Sequence, residues 1–175
     1  MKIVIIYATT EGQTRKIVRF VADYLAESAH VVELVPAAEA ADLDLSRFEK
    51  AILAGSIHVG RFQSELADFA HDNASALNAM PTLFLAVSLS AAGDDPADWK
   101  GLADCVDRFA EKTGWTPGRV EHVAGAFRFT QYDFFRSWAM RWIAAQKGES
   151  VDPHQDREYT DWQKLRTTLG DWVVG

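Results

Sequence analysis

The residues best suited to chemistry in this sequence lie in a short hydroxyl-rich loop near the N-terminus. The loop spans residues 8–14 (ATTEGQT), between an apolar strand-like run and a stretch with helical periodicity. Backbone N–H groups and the positive end of a helix dipole face an anion at such a position. Threonine hydroxyls add donors, and a glycine permits close approach of the backbone. The candidate binding residues are Thr9, Thr10, Glu11, Gly12, Gln13 and Thr14.

Two nucleotide-binding patterns are missing from this loop. It has no Gly-Lys-Ser/Thr, so the lysine that binds triphosphates in a P-loop is absent, and no Gly-x-Gly-x-x-Gly, which marks dinucleotide sites. Hydroxyls and amides without lysine suit a phosphate monoester such as that of FMN. The alternative is an ordinary strand-to-helix turn whose threonines only cap the helix, and the seven residues by themselves leave both open.

Short apolar runs alternate with amphipathic stretches along the chain, a pattern typical of βα units around a parallel sheet. Strands are predicted at 3–7, 31–35, 51–54, 81–89 and 119–126. Helices are predicted at 15–27, weakly at 43–49, and at 62–77, 96–112 and about 160–174, the last from a capping-box pattern starting at Thr160. Asp95 and Pro96 supply an N-cap and a first helical residue. The sequence therefore predicts an α/β fold and a single domain over 1–175.

Composition and charge narrow the class of protein further. A chain of 175 residues, 48% hydrophobic and 25% charged, suits a folded domain, and a net charge of −7 argues against a nucleic-acid partner. Cys105 is the only cysteine, which excludes an internal disulfide and favours a reducing compartment. The five histidines lack metal-ligand spacing, so no metal site is predicted. No signal peptide or run of ~18 apolar residues is present. We therefore expect a cytoplasmic protein.

One segment, at about 128–159, does not fit the alternation and is predicted to be an insertion between the fifth strand and the last helix. Residues 131–147 have a helical pattern with aromatic side chains on one half and basic ones on the other. The apolar half holds Phe134, Phe135, Trp138, Trp142 and Ile143, and the basic half holds Arg136, Arg141 and Lys147. This pattern favours peripheral contact with the inner face of the cytoplasmic membrane, or with a flat apolar substrate. A core helix or a dimer contact, and hence a homo-oligomer, are the alternatives.

The order of motifs along nearly the whole chain resembles that of the flavodoxin-like, quinone-dependent protoporphyrinogen dehydrogenases of bacteria. The motifs are TTEGQTRKI (9–17), AGSIHVGRFQS (54–64), LNAMP (77–81), VAGAFRF (123–129) and REYTDW (157–162). The insertion occupies the place of that family's long loop. The resemblance implies a flavodoxin-like, doubly wound, five-stranded parallel sheet of order 2-1-3-4-5, with FMN beyond the carboxyl ends of the strands.

The resemblance also implies that two further loops flank the flavin ring. The residues concerned are Ser56, Ile57, His58, Val59 and Gly60 after the third strand, and Ser88, Leu89, Ser90, Ala91 and Ala92 after the fourth. Neither loop contains the aromatic residue that electron-transfer flavodoxins usually stack on the ring, which leaves room for an organic substrate. His58 is a candidate for contact with the flavin or for handling a substrate proton. The alternative is a partly exposed loop histidine without a chemical role.

The function implied by the resemblance is an FMN-dependent oxidation of protoporphyrinogen IX to protoporphyrin IX, with a quinone as electron acceptor. The expected partners are therefore a reduced porphyrin and a quinone. The flavin performs the chemistry, so no residue of the chain needs to act as a covalent catalyst. The alternatives are a flavodoxin-type electron carrier and an FMN-dependent quinone reductase.

Overall fold

A five-stranded parallel sheet forms the centre of the computed structural model, which describes residues 1–10, 12–127 and 157–175. Its strands are β1 (Lys2–Tyr7), β2 (Val31–Pro36), β3 (Lys50–Ser56), β4 (Thr82–Ser88) and β5 (Arg119–Ala124). They lie in the order β2-β1-β3-β4-β5. The register pairs Ile5 of β1 with Leu34 of β2 and Ile52 of β3. The predicted fold and strand order are confirmed.

Helices and short 3₁₀ turns connect the strands. The helices are α1 (Gln13–Glu27), α2 (Ser64–Asp72), α3 (Ala74–Asn78), α4 (Pro96–Thr113) and α5 (Trp162–Val174). The 3₁₀ turns are Ala37–Glu39, Leu45–Arg47 and Ser90–Ala92. Asp95 caps α4 as predicted, since its side chain accepts a hydrogen bond from the Ala97 N–H.

Both faces of the sheet are buried, which is why its central strands are continuous apolar runs. Ile3 and Ile5 of β1 pack with the residues of α1 and α5, whereas Val4 and Ile6 pack with those of α2 and α4. Successive side chains of a strand point to opposite faces, so the side chains of one short run pack into two hydrophobic cores, one on each face of the sheet. Helices α1, α2 and α4 follow β1, β3 and β4, so they start at the carboxyl edge of the sheet, next to the loops predicted to bind a cofactor.

Two predicted helices differ from the observed ones in the region before β4. The segment 43–49 contains only one 3₁₀ turn, because the Asp44 side chain accepts hydrogen bonds from Ser46 and closes a local turn instead. The predicted helix at 62–77 is divided at Asn73, whose side-chain amide donates to the Phe69 carbonyl. Local side-chain to backbone bonds therefore override the apolar periodicity.

The two helices that border the predicted site also begin at other residues than predicted. Helix α1 starts at Gln13, two residues before the predicted start, with Gly12 as its N-cap. Helix α5 is capped by Asp161, which accepts from the Lys164 N–H, and not by Thr160. Thr160 is buried and its hydroxyl is used elsewhere.

A two-stranded antiparallel ribbon marks the base of the insertion. Strands β6 (Ala126–Phe127) and β7 (Arg157–Glu158) pair directly after β5 and directly before α5. The segment between them, 128–156, lies outside the described residues, and so does the helix predicted at 131–147. The membrane contact and the single-domain boundary stay predictions. Among the residues that the structure describes, no helix is long and apolar enough to cross a membrane.

Candidate functional site

The loop between β1 and α1 presents an open helix N-terminus. Gly12 has φ of 89°, a left-handed conformation that favours glycine, and its N–H donates to the Thr9 hydroxyl at 2.9 Å. Among the described residues, no side chain caps α1 at Gly12. An anion at this end of α1 could take the place of a side-chain cap. Glu11, also predicted to bind, lies outside the described residues.

Thr14 supplies a second feature that points to a ligand. Its side chain is only 1% exposed, yet its hydroxyl oxygen has no hydrogen-bond partner within the described part of the chain. A buried hydroxyl without a partner costs free energy, so a native structure that retains one calls for an explanation. An anion at the helix N-terminus would provide the missing partner.

Gln13 fixes the start of α1 to the end of β5. Its side chain is buried, and Nε2 donates to the Thr160 hydroxyl at 3.1 Å. That hydroxyl in turn donates to the Ala124 carbonyl at 2.6 Å. The side-chain amide of Gln13 is thus part of the scaffold that holds the start of α1.

Gln63 links the loop between β1 and α1 to the end of β3. Its Oε1 accepts from the Ser56 N–H at 3.1 Å, and its Nε2 donates to the hydroxyls of Thr10 at 3.0 Å and Ser56 at 2.6 Å. Thr10 is exposed and Ser56 is half-buried. Two loops that are far apart in the sequence therefore meet through one side chain.

The loop after β3 ends in a tight two-residue turn. His58 and Arg61 exchange both backbone hydrogen bonds, at 2.7 and 3.0 Å, around Val59 and Gly60. Both central residues have positive φ, 48° and 72°, as a type I′ turn requires. On the neighbouring helix α4, Arg108 donates to the Gly60 carbonyl at 3.4 Å. Helix α4 therefore supports the turn through this hydrogen bond.

Val59 is an unfavourable residue for this turn, and replacing it will stabilise the protein. A β-branched side chain in left-handed backbone is strained, and this one is 76% exposed. We expect Val59→Asn to raise the free energy of unfolding by about 1 kcal/mol, because Asn-Gly is the preferred type I′ pair. Urea denaturation of the two proteins checks this. A decrease in stability would show that the Val59 side chain makes contacts that outweigh the strain.

The loop after β4 lies between β3 and β5. The Ile57 N–H donates to the Val87 carbonyl at 2.8 Å, and the Gly125 N–H donates to the Ser88 carbonyl at 2.9 Å. The Ser88 hydroxyl accepts from the Ala91 N–H at 3.2 Å, which folds 88–92 back as a 3₁₀ turn. The three predicted loops thus meet at the carboxyl edge of the sheet. Their contact with a cofactor stays a prediction.

Similarity to known proteins places this chain in a family. A protein-family model described as "Flavodoxin domain" matches residues 4–154. The chain belongs to the flavodoxin domain family. A protein from Leishmania major named protoporphyrinogen IX dehydrogenase (quinone) is 29% identical over 177 residues, which cover 99% of this chain and 75% of that protein. A protein of the same name from Escherichia coli (strain K12) is 26% identical over 165 residues, covering 94% of this chain and 91% of that one.

Solved structures agree with the fold of this flavodoxin-domain chain. Oxidised flavodoxin 1 from Bacillus cereus superimposes with a TM-score of 0.57 at 17% identity, covering 99% of this chain and 98% of that one. Oxidised flavodoxin 2 from the same organism gives a TM-score of 0.57 at 14% identity, with 99% of both chains covered. At these identities the similarity concerns the fold alone.

In this flavodoxin domain, the base of the insertion adjoins the start of α1. Lys16, on the first turn of α1, forms an ion pair and a hydrogen bond with Glu158 of β7. The indole N–H of Trp162 donates to the other oxygen of the same carboxylate at 2.9 Å. The hydrogen bond from Lys16 holds the pKa of Glu158 below its ordinary value. The insertion therefore leaves the domain beside the start of α1.

Several residues that build this region have no role in the site predicted from the sequence. Gln63 lies in the motif at 54–64. It occupies the N-cap position of α2 without capping that helix, and its place before the helix is the one hint of its role that the sequence offers. Thr160 looked like a helix cap, whereas its hydroxyl joins Gln13 to β5. Trp99 fixes the 88–92 loop by donating its indole N–H to the Gly93 carbonyl at 2.9 Å. No group of three or more His, Cys, Asp or Glu suited to a metal occurs in the described ranges.

His122 packs edge-on against Trp99, with ring centroids 5.6 Å apart, and we expect it to make the stability of the protein pH-dependent. Burial holds the pKa of its imidazole below 6.5, so the folded state favours the neutral ring. The contribution of His122 to the free energy of unfolding is fully present above pH 6.5, and it is lost as the pH falls through the lowered pKa of the imidazole in the folded state. We expect the stability difference between pH 7.5 and 5.5 to be smaller in His122→Gln than in the parent, as measured by urea denaturation. An equal difference in both proteins would contradict this.

Proposed function

We propose that this chain is an FMN-dependent oxidoreductase that removes hydrogen from protoporphyrinogen IX and passes it to a quinone. The observation that carries the flavin part is the buried, unpartnered hydroxyl of Thr14 at an open helix N-terminus in a flavodoxin fold. The names of the relatives from Leishmania major and Escherichia coli support the substrate and the acceptor.

The residues of the loop fit the phosphate of FMN in their chemistry. The N–H groups of the first turn of α1 and the hydroxyls of Thr10 and Thr14 are donors, and a phosphate monoester offers only acceptors at neutral pH. Lys16 is paired with Glu158, so its charge is partly neutralised, and the helix dipole adds a positive field at this end of α1. When bound, FMN supplies the redox chemistry that the side chains themselves lack.

The proposed ring-binding residues are those of the two loops at the carboxyl ends of β3 and β4. The N–H groups of Ser56, Ile57 and Ala91 are used within the fold, so the proposed contacts with the ring fall to other groups of these loops. Small residues at 88–92 would allow a flat ring to approach. His58 is half-buried in the first of them and stays a candidate for contact with the ring or the substrate. The proposed role of the segment 128–156 is to gather the apolar substrate or the quinone, because its base lies beside the phosphate loop.

Anaerobic incubation of the purified chain with FMN, protoporphyrinogen IX and a menaquinone analogue tests the proposal. We expect porphyrin fluorescence to appear with the quinone and to be nearly absent without it, above the background of a reaction that lacks protein. Failure to form a yellow complex with FMN would refute the cofactor assignment. A yellow complex without porphyrin formation would refute the substrate assignment.

The alternative, an electron carrier, predicts a different result in the same preparation. A carrier would exchange electrons with a reductase protein and would leave protoporphyrinogen IX unoxidised in the presence of the quinone. The insertion argues against this function, because its base adjoins the start of α1 and its sequence is unusually rich in aromatic residues.

A further inference from the structure

Gln63 makes three hydrogen bonds that connect both ends of the proposed cofactor site. It bonds the hydroxyl of Thr10 in the phosphate loop and both the N–H and the hydroxyl of Ser56 at the end of β3. We propose that Gln63 is a positioning residue, which turns the hydroxyl hydrogens of Thr10 and Ser56 toward the cofactor. The inference rests on the proposed binding of FMN and deepens it.

The network itself fixes the orientation of the Gln63 amide. The Ser56 backbone N–H can only donate, so the atom 3.1 Å from it must be the carbonyl oxygen Oε1. The nitrogen Nε2 then faces both hydroxyls, and it has two hydrogens, one for each. The opposite orientation of the amide would bring two donors together at Ser56.

The amide in this orientation decides what the two hydroxyls can do. Each hydroxyl oxygen accepts a hydrogen from Gln63, so its own hydrogen remains available for a second acceptor. A phosphate group and the carbonyl oxygens of a flavin are such acceptors. Gln63 therefore orients the hydroxyls of Thr10 and Ser56 as donors before the cofactor binds. These hydroxyls then lose less orientational freedom on binding.

The surroundings of Gln63 keep its side chain in this place. A Cβ built on Gly55 would lie 2.6 Å from Cδ2 of Leu66 and 3.1 Å from Oε1 of Gln63, so a side chain at 55 would collide with Leu66 and crowd the amide. Leu66 is fully buried in the core. The amide is therefore packed between the end of β3 and the start of α2.

Gln63→Glu is the sharpest variant for a test. The carboxylate is nearly the same shape and still accepts from the Ser56 N–H, but it would accept from the two hydroxyls instead of donating to them. We expect FMN affinity to fall about 10–100-fold, the effect of losing hydrogen bonds to a charged group. Riboflavin, which lacks the phosphate, should lose less affinity than FMN. Gln163→Glu on the exposed face of α5 is the charge-matched control and should bind FMN as the parent does.

A double-mutant cycle separates positioning from simple charge repulsion. Thr10→Val should weaken FMN binding about tenfold in the parent and have almost no further effect in Gln63→Glu, whose Thr10 hydroxyl is already turned away. Additive losses, or equal losses for FMN and riboflavin, would overturn the inference while leaving the proposed function intact. A parent protein that does not bind FMN would overturn both.

Discussion

Replacing Thr14 with valine will weaken FMN binding about 10–100-fold while leaving the apoprotein at least as stable as the parent. The two side chains have nearly the same shape, and the hydroxyl that is lost is buried without a partner among the described residues. Removing it takes away a desolvation cost in the apoprotein, worth about 1 kcal/mol or more, and a charge-assisted hydrogen bond in the complex. Flavin fluorescence titration and urea denaturation measure the two effects, and riboflavin affinity should hardly change.

Thr113 provides a matched control for this experiment. It is also a buried threonine in a helix, but its hydroxyl donates to the Phe109 carbonyl and accepts from the Trp115 N–H. It lies at the opposite end of its helix from the candidate site. Thr113→Val should therefore lower stability and leave FMN affinity unchanged, the reverse of Thr14→Val. If Thr14→Val loses stability and keeps its affinity, the hydroxyl has a structural role and the phosphate assignment is wrong.

Replacing residues 128–156 with Asn-Gly will abolish quinone-linked turnover and leave FMN binding close to that of the parent. Phe127 and Arg157 are paired opposite each other in the β6–β7 ribbon, so a two-residue turn can close it. The phosphate loop, Gln63 and the ends of β3 and β4 all lie outside the deleted segment. Turnover should fall at least 100-fold, about 2.7 kcal/mol of barrier or more, if the segment gathers an apolar substrate.

A second variant controls for the loss of chain length in that experiment. Exchanging Phe134, Phe135, Trp138 and Trp142 for glutamine keeps the insertion and removes most of its apolar face. We expect the same loss of turnover with FMN still bound. Turnover that survives the deletion would refute the proposed role of the insertion, and loss of FMN would show that the insertion also contributes to the flavin site.

Most of the fold could be predicted from the sequence because its main signal is local. The run Ile3–Tyr7 is apolar throughout, since a central parallel strand is covered on both faces. The same holds for β4, which is buried over its whole length. The position of α1 follows from its apolar periodicity, that of α4 from Asp95 and Pro96 at its start, and that of α5 from the capping-box pattern. The segment at 43–49 was predicted wrongly, because a short Asp44 turn competes with a weak periodic signal.

The candidate site could be predicted only in part. The sequence by itself determined the alternation of βα units and placed Thr9, Thr10, Gly12 and Thr14 at the start of the first helix, because residue type and spacing along one segment are enough for that. The flavodoxin-like strand order was implied by the resemblance. Only the tertiary structure decided that Thr14 is buried without a partner, that Gln13 bonds Thr160, and that Gln63 joins Thr10 to Ser56. The bonds of Gln13 and Gln63 connect segments from different βα units. Which atoms meet there depends on how the whole sheet brings its carboxyl edge together, and neighbouring residues in the chain do not encode it.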